Sequence, residues 1–160
     1  MIIVVMGTTG VGKTTVGKLL AARCDMTFYD ADDHHPAANV AKMRAGIPLQ
    51  DSDRWPWLDC LNALLREAQA RQQNVVIACS ALKQSYRDRL SMGCDDVRYV
   101  LLTGAKDLIR ERLAARKEHY MNPALLDSQL ATLEAPAECM VLDVSDTAEA
   151  LAARIVATMR

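Results

Sequence analysis

Ile2-Ile3-Val4-Val5-Met6, running directly into Gly7-Thr8-Thr9-Gly10-Val11-Gly12-Lys13-Thr14, decides the fold of this chain. The β-branched run reads as a buried strand. The turn after it fits the phosphate-loop pattern G-x-x-x-x-G-K-[ST] at every fixed position. Glycines let such a loop curl so that several backbone N–H groups point inward at phosphate oxygens. The helix that starts near Lys13 adds its positive end. Lys13 carries a point charge to the β- and γ-phosphates, and the Thr14 hydroxyl is a ligand for Mg²⁺. The expected nucleotide-binding residues are therefore Gly7, Thr8, Thr9, Gly10, Val11, Gly12, Lys13, Thr14 and Thr15. A glycine turn that only joins strand to helix is the competing reading. It explains neither the lysine nor the threonine.

The bulk properties narrow the class. A chain of 160 residues is the size of one domain, expected here over residues 1–160, and buries roughly two thirds of its unfolded surface. Nineteen basic and 20 acidic side chains give a net charge of −1. That balance gives no support to a nucleic-acid partner. The apolar start lacks a leading basic segment and is too short to span a bilayer, so neither a secretory leader nor a membrane helix is expected. The five cysteines are scattered without CxxC spacing, which suits reduced thiols in the cytoplasm. Cys79 and Cys139 sit in apolar runs and are expected to be small core residues.

Apolar runs alternate with helical periods along the chain. Strands are expected at 2–6, 27–30, 74–79, 97–102 and 139–143. Helices are expected at 13–23, 57–70, 83–90, 106–116, 125–133 and 147–159. This alternation predicts an α/β fold with a five-stranded parallel sheet covered on both faces. Ligands of such sheets bind beyond the carboxyl ends of the strands. Asp30 and Asp32 follow the second strand and Ser80 the third, so they land on the rim that carries the phosphate loop. Two polar stretches read as mobile covers of that rim. One is a substrate flap at about 32–57. The other is a lid at about 112–124, overlapping the basic stretch 110–123.

Phosphoryl transfer to an alcohol needs metal charge near the phosphates and an acceptor for the hydroxyl proton. Asp30 is assigned to Mg²⁺ beside Thr14, and Asp32 to the acceptor hydroxyl. Taken alone, the pair also reads as turn or capping aspartates. Arg54 is a candidate clamp for a substrate carboxylate, its fork matching two oxygens, with Asp53 orienting it. The stretch 51–57 reads equally as a helix start with Pro56 in the first turn. Ser80 and Lys83 open a helix after a buried strand, where an anionic or polyhydroxylated ligand fits, and Arg87 follows Lys83 by one turn. A capped, solvated basic helix is the plainer alternative. Arg112 and Arg116 are four apart, so one helical face presents both, able to close over ATP and stabilise charge on the transferred group. A solvated helix surface has the same spacing. No Cys/His cluster supports zinc, and the Asn-Lys-x-Asp signature of guanine recognition is absent.

Further segments carry a resemblance. They are Asp30-Ala31-Asp32-Asp33-His34-His35-Pro36, Asn39-Val40-Ala41-Lys42-Met43, and the stretch from Gly46-Ile47-Pro48 through Asp51-Ser52-Asp53-Arg54 to Pro56-Trp57-Leu58. Later come Cys79-Ser80-Ala81-Leu82-Lys83 with Tyr86-Arg87-Asp88, His119-Tyr120-Met121, Leu125 to Gln129, and Leu133-Glu134-Ala135-Pro136. With these the chain resembles the gluconokinase family, ATP-dependent kinases of D-gluconate. The resemblance covers nearly the whole length. It implies a P-loop NTPase three-layer fold like that of shikimate and nucleoside-monophosphate kinases, with strand order 2-3-1-4-5. It also implies phosphorylation of gluconate at its 6-hydroxyl, a homodimer, and adenine held between the lid arginines and the loop after the last strand, near Val144. Ala31 stands where the family pattern has glycine, and Glu118 where it has a small or polar residue.

The expectation is then a kinase. Lys13, Asp32, Arg112 and Arg116 form its catalytic set, and Thr14 and Asp30 form its metal site. Asp32, His35, Arg54, Ser80, Lys83, Arg87 and His119 form its substrate site. A related kinase of shikimate, of another sugar acid or of a nucleoside monophosphate stays open, Lys42, Arg44 and Arg54 being available for a second phosphate. A nucleotide-gated switch also stays open, but has less need of Asp32.

Overall fold

The computed structural model describes residues 1–117 and 120–159. Its centre is the strand read first. Strand β1, Ile2–Met6, is buried along its whole length. Alternate side chains of a strand face opposite sides. Accordingly Ile2, Val4 and Met6 enter one apolar cluster, and Ile3 and Val5 enter another. A continuous apolar run is what a strand covered on both faces requires.

The other strands are β2 (Thr27–Asp30), β3 (Val75–Ala78), β4 (Val97–Thr103) and β5 (Met140–Asp143). All pairings are parallel, in the order β2-β3-β1-β4-β5. This is the expected order. Helices α1 (Lys13–Cys24), α5 (Lys106–Ala114), α6 (Leu125–Thr132) and α7 (Ala148–Ala157) supply residues such as Val16, Leu20, Ile109, Leu126 and Leu151 to the cluster under one face. Helices α3 (Asp51–Ala70) and α4 (Gln84–Ser91) cover the other with Trp57, Leu58, Leu61, Leu65, Tyr86 and Leu90. Each such side chain contributes roughly 1.5–3 kcal/mol by leaving water. Leu58 is thus a core residue. No described helix is long and apolar enough to cross a membrane.

Apart from small shifts at other element ends, three differences from expectation bear on the site. Helix α3 begins at Asp51, not at residue 57, because the Asp53 carboxylate accepts from Gln50 N at 2.8 Å and closes the first turn ahead of Pro56. Inside the flap lie a 3₁₀ turn at Ala31–His34 and the short helix α2 at Ala37–Arg44. The latter turns only Asn39 and Met43 inward, too few for a legible period. Helix α5 stops at Ala114, so Arg116 stands beyond it. Cys79 is buried, but Cys139 lies just before β5 and is only partly covered.

Candidate active site

The phosphate loop is shaped by its glycines. Gly7 has φ +141°, and a Cβ there would stand 2.5 Å from the Leu102 carbonyl oxygen. Gly12 caps α1 in the left-handed region with no side chain in the way, so the first N–H groups of α1 are left for an anion. Lys13 is partly buried and donates from Nζ to the Thr8 carbonyl at 2.8 Å. Burial pushes its pKa down, partly offset by the nearby charges of Asp32 and Asp30.

Asp30, at the end of β2, uses both carboxylate oxygens. One accepts from the Thr14 hydroxyl at 2.6 Å and the other from Asp32 N at 3.0 Å. The first contact unites the two residues expected to hold the metal. The second fixes the turn that presents Asp32. Trp57 Nε1 donates to the Ala31 carbonyl at 2.8 Å, and Tyr120 Oη donates to that of Asp32 at 2.9 Å. Ala31 itself is fully buried without positive φ, so its methyl group imposes no backbone strain. Thr14 and Asp30 fit Mg²⁺, which favours oxygen ligands and takes many of them from phosphate and water. Among the described residues no group of three or more His, Cys, Asp or Glu forms a denser metal site.

Three cavities line up along the rim. The outermost, about 330 Å³, lies between the phosphate loop, Arg112, Arg116 and the segment Asp146, Thr147 and Ala148. Arg112 Nη2 donates to the Val144 carbonyl at 2.6 Å. The Val144 side chain is core and does not line the cavity, whose lining there is Asp146, Thr147 and Ala148. The two arginines do converge here, although not on one helical face. A second cavity, about 50 Å³, holds Lys13, Thr14, Asp32, Ser80, Arg116 and Gln129. The third, about 20 Å³, holds Asp32, His35, Arg54, Trp57, Ser80 and Gln129 beneath Met43, Leu49 and Leu125. Asp32, Ser80, Met121 and Gln129 line both inner cavities.

In the third cavity His35 stacks on Trp57, centroids 4.0 Å apart and planes within 13°. Burial lowers its pKa to about 4 against the opposing pull of Asp32, so the ring is neutral near pH 7. Arg54 Nη1 donates to the Leu49 carbonyl and, at 3.2 Å, to Tyr86 Oη, with its guanidinium carbon 5.1 Å from the centre of the Tyr86 ring. Asp53 does not orient it. Both Asp53 oxygens lie 2.9 Å from Lys42 Nζ.

Two expected substrate residues lie elsewhere. Lys83 is outside the cavities, its Nζ 3.2 Å from Asp51, which also accepts from Tyr86 Oη. The hydrogen bonds from Tyr86 and then Lys83 hold the Asp51 carboxyl below its ordinary pKa. Arg87 is buried, donating from Nη1 to the Ala81 and Leu82 carbonyls at 2.8 and 3.2 Å and from Nη2 to Gln84 at 3.0 Å. Lys83 precedes α4 while Arg87 points inward from it, so their spacing does not give a shared face. Arg87 instead holds the left-handed turn at Ala81 (φ 43°) that presents Ser80. His119 and Glu118 lie outside the described residues.

Sequence reasoning assigned no role to Gln129, whose Oε1 accepts from Thr9 N of the phosphate loop at 2.6 Å. The available signal was a lone amide in the helix Leu125–Thr132, half of whose residues are apolar. Tyr120 and Asn39 stand within the segments of resemblance, with no role of their own legible there.

The AAA domain family matches residues 2–148. A probable gluconokinase of Dictyostelium discoideum is 46% identical over 144 residues, 86% of this chain and 72% of that protein. Among solved structures, a sugar kinase from Janibacter sp. HTCC2649 gives a TM-score of 0.93 at 41% identity, covering 99% of this chain and 93% of its own. A gluconokinase from Sinorhizobium meliloti 1021 gives 0.80 at 39%, covering 98% and 94%. With a phosphate loop closing on paired aspartates at the rim of a 2-3-1-4-5 sheet, the chain is a kinase and belongs to the gluconokinase family.

Proposed function

We propose that this kinase transfers the γ-phosphoryl group of ATP to the 6-hydroxyl of D-gluconate, giving 6-phospho-D-gluconate and ADP. The observation that carries the reading is the position of Asp32, which lines both the phosphate-loop cavity and the cavity holding His35 and Arg54. A proton acceptor between donor and acceptor sites is what transfer to an alcohol needs.

Loop amides and Lys13 hold the β- and γ-phosphates. Thr14 and Asp30 hold Mg²⁺, which when bound supplies positive charge to the phosphate oxygens. Arg54 takes the substrate carboxylate, and His35 and Ser80 its hydroxyls. The Asp32 carboxylate accepts the 6-hydroxyl proton as that oxygen bonds to the γ-phosphorus and the bond to the β–γ bridging oxygen breaks. Arg112 and Arg116 spread positive charge over the transferring group. The reading includes 32–57 as flap, 112–124 as lid with His119 on substrate, a single domain over 1–160, a homodimer and a cytoplasmic location. Lys42 and Lys83 are already paired with Asp53 and Asp51. That leaves Arg54 as the flap cation lining the acceptor cavity, which favours one carboxylate over the phosphate of a nucleotide.

The test is ADP release from Mg·ATP with gluconate, shikimate, AMP or no acceptor. Strong stimulation by gluconate alone is expected. Stimulation by another acceptor keeps the phosphate side and overturns the substrate assignment, and no stimulation by any of them overturns the reading.

A further inference from the structure

Asn39 is buried on α2, 4% exposed, and reaches two elements with one atom. Its Nδ2 lies 2.9 Å from the Asp53 carbonyl oxygen and 3.2 Å from His35 Nδ1. A carbonyl only accepts, so the group facing Asp53 is the NH₂ and the orientation of the amide is settled. The second hydrogen of that NH₂ is then available to His35 Nδ1, which must present its lone pair. A neutral imidazole carries one N–H, and here that is Nε2–H. The plane of the ring is set independently by the stack on Trp57, itself anchored to the Ala31 carbonyl.

We propose that Asn39 is a positioning residue that locks His35 as the Nε2–H tautomer, so that the ring offers the bound sugar acid a hydrogen-bond donor and not an acceptor. The proposal rests on the reading of this cavity as the gluconate site. Chemically it divides the labour within the cavity. Asp32 is the acceptor, matched to the hydroxyl that loses its proton. Arg54 and His35 are donors, matched to carboxylate and hydroxyl oxygens. The low pKa of the partly buried ring points the same way, since a neutral ring is a precondition. A second contact of α2 helps to hold Asn39 in place, because Lys42, three residues on, pairs with the same Asp53.

The test begins with the ring itself. The chain has three histidines, so a long-range ¹H–¹⁵N spectrum of histidine-labelled protein is readable, and the His35 signals are those lost in His35→Gln. At pH 7 the expected pattern is protonated Nε2 with unprotonated Nδ1. A protonated Nδ1 overturns the proposal. Asn39→Asp, which can only accept, is expected to move the proton to Nδ1 or to protonate both nitrogens. An unchanged pattern in a folded Asn39→Asp overturns Asn39 as the cause. Should that variant not fold, His35→Gln and His35→Asn still decide the functional half. Both lose the stack, but Gln places an NH₂ near the Nε2 position and Asn near Nδ1. The gluconate KM of His35→Asn is expected to exceed that of His35→Gln by about tenfold, the scale of one hydrogen bond. Equal values overturn the donor role. If the wild-type protein phosphorylates no gluconate, the proposed function fails while the ring spectrum still decides the tautomer.

Discussion

Asp32 and Arg54 separate chemistry from binding at the residue scale. Removing a general base lowers rate by about 10²–10⁴. Asp32→Asn is therefore expected to lower kcat by that factor with little change in gluconate KM, as steady-state kinetics will check. Arg54→Ala should raise gluconate KM by about 10–100-fold, from loss of a charge-assisted hydrogen bond of about 1.5–3 kcal/mol. Lys83→Ala should leave KM near the wild-type value, because its ammonium is occupied by Asp51 outside the cavity. A large KM effect at Lys83 would move the carboxylate site toward α4. His35 adds a pH dependence. Its folded pKa, about 4, lies below the unfolded value of 6.5, so the folded state binds fewer protons between them. The associated stability is present above pH 6.5 and is lost as pH falls toward 4. Its size is about 3 kcal/mol at about 1.4 kcal/mol per unit. Denaturant titrations across this window should show the loss in the wild type and a flatter profile in His35→Gln.

The turn between β3 and α4 is held by its own helix. Arg87 satisfies the Ala81 and Leu82 carbonyls from below. Arg87→Met would leave the Ala81 carbonyl without its partner, at about 1–3 kcal/mol, while the Leu82 carbonyl keeps the Glu134 N–H at 2.8 Å. The expected loss is about 1–3 kcal/mol, a drop in Tm of about 2–12 °C by thermal melting. Ser80 moves with that turn, so kcat should fall as well, but the gluconate KM should change less than in Arg54→Ala. Sequence spacing put Arg87 with Lys83 because i and i+4 share a face only when both lie within one helix. The helix start falls between them at Gln84. The same limit explains Arg112 and Arg116, divided by the end of α5 yet brought to one cavity by the turn beyond it.

Closure decides access at the scale of the whole molecule. The cavity beneath Met43, Leu49 and Leu125 is about 20 Å³, room for about one water. On the proposed reading, a polyol acid is expected to enter only after the segment 37–49 separates from α6. In the free protein, amides of 37–49 and 120–126 should exchange with deuterium faster than those of β1, and should slow when gluconate is added. Unchanged exchange on binding would mean that the substrate reaches Asp32 without this opening.

The sequence alone determined the sheet and the phosphate side of the site. A strand buried on both faces must be apolar throughout, and the loop's function resides in backbone N–H groups placed by consecutive residues. Lys13, Thr14 and Asp30 were legible for that reason, as local order at strand ends dictates where they stand. Which cation reaches the acceptor side was decided only by tertiary structure. Arg54, Lys83 and Arg87 carry the same charge in the sequence, and only the partners that folding brings separate them. Leu49 and Tyr86 steer Arg54 to the cavity, Asp51 withdraws Lys83, and the carbonyls of a left-handed turn bury Arg87. A long cationic side chain goes to whichever oxygen the fold presents, and at these positions residue spacing does not specify that oxygen.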